Sequence, residues 1–210
     1  MSINLRVLFL LATTPLLVAG SPPTKELEAV PEVVGMRYCY DGDAELFSVW
    51  LKLRVQYINR TTETLILDRE IGKLYYQVKV AQNVEDLAAR RYEYNPNIDW
   101  VFSDKDKLPE KPKTDSVGSD FVVLAPGQAF ESEINPSVFA YYGNAKDVRG
   151  SIRAGRHVLQ MDIAAWTRPG EASEYAKSWR KFGRLVTGVV KTNPVEIRVA
   201  SNPSVEQKCE

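Results

Sequence analysis

The chain has 210 residues, with 27 Lys plus Arg against 27 Asp plus Glu, one His and two Cys, and 44% of it is hydrophobic. Those are ordinary globular proportions, which exclude a collagen-like chain, a wholly disordered one and a disulfide-dense miniprotein. A formal net charge of zero also removes the electrostatic footprint of a nucleic-acid binder or a polybasic membrane-surface protein.

Met1 to Arg6 carry one positive side chain, and Val7 to Ala19 form an apolar run broken only by Thr13, Thr14 and Pro15. The run is short for a bilayer span. It closes on Val18-Ala19-Gly20, small residues of the kind a signal peptidase reads, and Ser21-Pro22-Pro23 cannot continue a helix. Residues 1–20 therefore read as a cleaved signal peptide, with an uncleaved membrane anchor as the alternative. The mature protein is expected to be exported, periplasmic or secreted, with no transmembrane span after cleavage.

Export places Cys39 and Cys209 in an oxidising compartment, where a disulfide would enclose nearly the whole mature chain. Loop-closure entropy makes such a bond worth at most about 5 kcal/mol. Two free thiols, with Cys209 in a frayed tail, are the alternative. There is no CxxC, and the single His is far from both cysteines in sequence, so neither a metal nor any other cofactor is expected.

Residues 21–44 look like an extended lead-in to a single domain over 45–201, followed by a tail at 202–210. The clearest signal is the alternation of Phe47, Val49, Leu51, Leu53, Val55 and Tyr57 with Ser48, Trp50, Lys52, Arg54 and Gln56, which puts one face of a strand in a core and the other in solvent. Asn59-Arg60-Thr61-Thr62 reads as a turn, with short strands after it through Leu65 and Leu67 and from Leu74 to Val80. Later strands run from Phe121 to Leu124, from Ala129 to Ile134 and through His157, Leu159, Met161, Ile163 and Ala165. Leu185 to Lys191, a turn at Thr192-Asn193-Pro194 and Val195 to Val199 complete about seven to nine strands. With no alternating helices, an all-β, antiparallel β-sandwich is the economical architecture.

Two segments break that pattern. Residues 83–119 are a long polar insertion, opening with Asn83 as a helix cap and Val84 to Arg91 as one or two helical turns. Within Glu171 to Phe182, Ala172, Tyr175, Ala176, Trp179 and Phe182 fall at helical spacing, and Gly183 stands where a C-terminal cap belongs.

Phe121-Val-Val-Leu-Ala-Pro-Gly-Gln, Arg153-Ala-Gly-Arg-His-Val-Leu-Gln-Met and Thr192-Asn-Pro-Val-Glu-Ile-Arg-Val together resemble elements of bacterial exported immunoglobulin-like domains. The resemblance covers roughly residues 45–80 and 120–200, and its motifs are short. It implies an immunoglobulin-like sandwich and an extracytoplasmic role, and it carries over no catalytic residue. The insertion and the helix depart from a minimal domain of this kind.

Catalysis of the Ser-His-Asp type needs a base beside the nucleophile, and His157, in phase with Leu159 and Met161, reads as a strand histidine instead. No GxSxG elbow is present. The acid clusters Asp41, Asp43, Glu45 and Asp104, Asp106 fit no EF-hand and read as solvated loops, so no catalytic or metal residue is assigned. The aromatics are more suggestive. Trp50 and Trp166 fall on the solvent phase of their strands, and Tyr92, Tyr94 and Trp100 occupy the insertion; exposed rings are what protein interfaces and sugar-binding sandwiches use. A satellite core made by the insertion and the 171–182 helix is the competing reading. Asn59-Arg60-Thr61 is a glycosylation sequon if the host is eukaryotic. The expected function is a non-catalytic exported module binding a protein partner, with polysaccharide binding as the alternative and a carboxylate-based hydrolase behind it. No reactive loop of a protease inhibitor can be named.

Overall fold

The computed structural model describes residues 26–40, 46–73, 75–96, 114–141, 150–166 and 172–206. The fold is all-β. The alternation at 47–57 is the body of β2 (Leu46–Asn59), whose six inward residues from Phe47 to Tyr57 are at most 2% exposed. Residues expected to belong to a lead-in instead form β1 (Leu27–Tyr40), antiparallel to β2 along its whole length, with a bulge between Val33 and Gly35. The lead-in was hard to recognise as a strand because that bulge and Pro31 disrupt the period-two pattern.

β3 (Leu65–Asp68), β4 (Tyr76–Ala81), β5 (Phe121–Leu124), β6 (Ala129–Ile134) and β12 (Val195–Val199) lie close to where the sequence placed them. β7 (Ser137–Tyr141) and the two-residue β8 (Ile152–Arg153) were not expected. β9 (Gly155–Ala164) is the second long strand, and the strand expected over 185–191 is split into β10 (Arg184–Leu185) and β11 (Val189–Lys191).

The large sheet has the order β1-β2-β7-β8 with β6 also on β2; a second has β11-β9-β12 with β4 also on β9; a small one has β10-β3-β5. The two long strands share a device. β6 and β7 pair with successive parts of β2, interrupted at Asn135-Pro136, just as β11 and β12 pair with successive parts of β9, interrupted at Thr192-Asn193-Pro194. Proline lacks the N–H that a ladder needs, so the partner strand breaks there and resumes. At the second break the Thr192 hydroxyl accepts from Met161 N at 2.9 Å, replacing the missing rung.

The inward faces of the large sheet and the β9 sheet meet in one core, in which Leu51, Leu53, Val55, Leu159, Met161 and Ile163 are at most 1% exposed. Ala29 joins the sheets, bridging to Thr192 and accepting from Asn193 N at 2.7 Å. A second cluster of Ile66, Phe121, Tyr175, Trp179 and Leu185 lies beneath α2 (Ala172–Trp179). Among the described residues no helix is long and apolar enough to cross a membrane.

Candidate functional site

The outer face of the large sheet changes character along β2. From Lys52 toward Asn59 it is a ladder of cross-strand pairs: Lys52 with Glu133 at 3.0 Å, Arg54 with Glu32 at 3.6 Å, and Gln56 with Glu131 at 3.4 Å. Arg60 continues it to Glu28 at 2.7 Å. Such exposed pairs contribute at most about 1 kcal/mol each and hold the face in a solvated state. From Trp50 toward Leu46 the pairing changes: Arg37, opposite Trp50, is ion-paired to Glu206 at 3.9 Å rather than to a neighbouring strand. Trp50 is flanked by Arg37 on β1 and Ser137 on β7, and the next row is Cys39, Ser48 and Phe139.

A groove of about 390 Å³ opens at this boundary, with Trp50 and Gly35 in its lining and Arg37, Lys52, Glu133 and Asn135 around it. Gly35 follows the β1 bulge and carries no side chain to fill the space over Lys52. Trp50 is half-buried there, while Phe139 on β7 and Val34 at the bulge are each 38% exposed. An aromatic ring in a shallow groove with a polar rim is an arrangement that contact surfaces use. Arg37 is 3.9 Å from Glu206, so the rim also touches the end of the described chain.

The other aromatic candidates are elsewhere. Trp166 does not present an open ring: it lies in the second cluster, 5.0 Å from Tyr175 and 6.2 Å from Phe121 between ring centroids. It follows the end of β9 and is half-buried, with the Tyr175 ring of α2 packed against it. Tyr94 is 6% exposed in the main core, because residues 93–94 bridge to Val80 and turn the ring inward. Burial, with Tyr76 nearby, pushes its phenol above the usual tyrosine range. Tyr92 is half-buried with its ring 5.8 Å from Lys79 Nζ, which is ion-paired to Asp162. Trp100, the two acid clusters and Cys209 lie outside the described residues. The structure therefore brings none of the other four aromatics to Trp50 among the described residues.

Asn59 does not present an open glycosylation sequon. It is fully buried, and Nδ2, the atom a glycan would occupy, donates to Glu63 O at 2.7 Å and Leu124 O at 2.9 Å. The α1 helix (Val84–Ala88) is capped by Asn83 as expected, its side chain accepting from Asp86 N at 2.8 Å. Among the described residues no cluster of acid, His and Cys side chains is arranged to hold a metal ion.

Sequence reasoning missed the polar rim. Lys52 was in view as a solvent-phase residue, but Arg37 and Glu133 reach the groove only through strand pairing, and no local pattern marks them. No protein-family model, curated protein or solved structure matches the chain.

Proposed function

We propose that the protein is an exported, non-catalytic binding module with an immunoglobulin-like sandwich fold, and that it holds a protein partner on the apolar half of its large sheet, centred on Trp50. The supporting observation is the abrupt change from a charge-paired ladder to an aromatic groove on one sheet face. Trp50 and Phe139 stand in adjacent rows of that face, Phe139 staying 38% exposed although its ring also meets Tyr94 at 6.4 Å, and Trp and Arg are the side chains that anchor protein interfaces. Two sheets facing one core, antiparallel except for the parallel β7–β8 pair, support the sandwich reading. The 1–20 segment supports export.

Saccharide binding is the second reading, favoured by the small volume of the groove and by Asn135 and the Lys52–Glu133 pair at its rim. The two separate cleanly. With mature protein immobilised, a partner protein should bind saturably and lose affinity by at least about tenfold in Trp50→Ala, a loss in the hot-spot range, while Trp166→Ala binds normally. Saturable change of tryptophan fluorescence on adding polysaccharide, without protein capture, would replace the first reading by the second. Full protein binding by Trp50→Ala would remove the groove from either role.

A further inference from the structure

The only histidine of the chain occupies a position that restricts its protonation. His157 is 2% exposed at the start of β9. Its Nδ1 is 2.7 Å from Glu93 Oε2 and its Nε2 is 2.7 Å from the Arg153 carbonyl oxygen. A neutral imidazole has one N–H and one lone pair, so it can satisfy only one of two acceptors. The contacts are satisfied when the pair holds one further proton, either on the ring as imidazolium or on Glu93 as a carboxylic acid donating to Nδ1. Without that proton a buried lone pair faces an oxygen, which is repulsive and leaves a hydrogen bond unmade.

Among the described residues, other charges around the ring do not supply the missing partner. Arg153 offers its carbonyl while its side chain is exposed; Arg156 and Glu196 pair with each other at 3.8 Å on the solvent side; Arg198 on β12 points outward. On the α1 side Asp86 is held by Arg91.

Glu93 belongs to the stretch that closes the edge of β4. Val80 N donates to Tyr94 O at 2.8 Å, Glu93 N donates to Val80 O at 2.8 Å, and the Tyr94 ring fills the core 6.4 Å from Phe139. We propose that His157 and Glu93 form a proton-dependent latch that fastens residues 92–96 to the β4–β9 edge. The folded contact needs the proton: with it both acceptors are served, and without it one of them faces a ring lone pair. Phe139 borders the proposed binding face, but the latch stands whatever that face binds.

The test compares wild type, Glu93→Gln and His157→Phe between about pH 5 and about pH 8. Nitrogen-15 spectra of the single imidazole count its N–H groups, and amide protection factors follow residues 92–95. In wild type, protection at 92–95 should fall at least about tenfold from the acid to the alkaline end, the scale of one charge-assisted hydrogen bond. In Glu93→Gln the amide can donate to a neutral Nδ1 while Nε2–H still donates to Arg153, so protection should stay high and flat. His157→Phe should be weakly protected throughout, with Leu159 and Met161 amides reporting that β9 is intact. If that variant does not fold, wild type against Glu93→Gln decides the matter. Flat protection at 92–95 in wild type across the range would overturn the latch.

Discussion

Asn59 shows how much one side chain can carry at a strand end. Its Nδ2 satisfies the carbonyls of Glu63 and Leu124, and its Oδ1 accepts from Thr61 N at 2.9 Å and from the Thr61 hydroxyl at 2.7 Å. Truncation leaves buried backbone groups without partners, so Asn59→Ala should lower unfolding free energy by about 3 kcal/mol, read as an earlier urea midpoint with unchanged slope. An unaltered midpoint would show that water replaces those bonds. The turn was legible in the sequence, because Asn-Arg-Thr-Thr breaks the alternation. The burial was not, since Leu124 is 65 residues away. Trp50 and Trp166 teach the same lesson in opposite directions: both fall on the solvent phase of the sequence pattern, and only tertiary packing decides which ring a helix covers.

At the scale of elements, α2 and the residues after it are held by close fit. Gly183 has φ of +154°, and a Cβ there would stand 2.7 Å from Thr64 O, with Arg184 N donating to that same carbonyl at 2.9 Å. Gly183→Ala should therefore cost at least about 2 kcal/mol, from strain and from loss of the β3–β10 pairing. Trp179→Ala, which opens the second cluster where this ring meets Phe121 at 4.7 Å, should cost about 3 to 5 kcal/mol. Thermal denaturation checks both; Trp179→Ala melting with wild type would mean that α2 is not docked in solution. The helix and its glycine stop were legible from spacing and composition. What α2 covers was not, because periodicity identifies an apolar face and says nothing of its partner. β1 was missed for a related reason: its bulge breaks the count on which the strand reading depends.

Across the whole molecule, the outer edge of β1 is fastened near both ends. Thr192 and Asn193 meet Ala29, and Glu206 exchanges hydrogen bonds with Tyr38 and Tyr40, at 2.8 Å and 2.9 Å. Pro31 and the bulge interrupt the stretch between, which discourages edge-to-edge pairing with a second chain. Glu206 pairs with Cys39, which is 3% exposed, and no described cysteine is free. That placement supports our proposal of a Cys39–Cys209 bond. Intact mass should be two hydrogens lighter before reduction than after, and replacing both cysteines by serine should cost up to about 5 kcal/mol. An unchanged mass would leave two thiols.

Alternation in β2 and β9 made the all-β class readable. The joining of the sheets, the groove rim and the Glu93–His157 contact all depend on residues brought together over long sequence distances, which no local pattern records.

The proposed binding role divides the large sheet into a solvated half and a contacting half. Photo-crosslinking side chains placed at Phe139 and at Gln56, on opposite sides of that division, test it in the native envelope or secreted fraction. A discrete, saturable protein crosslink is expected from position 139, disappearing in a Trp50→Ala background, with nothing from position 56. Equal crosslinking from both positions, or a crosslink at 139 that survives Trp50→Ala, would contradict it.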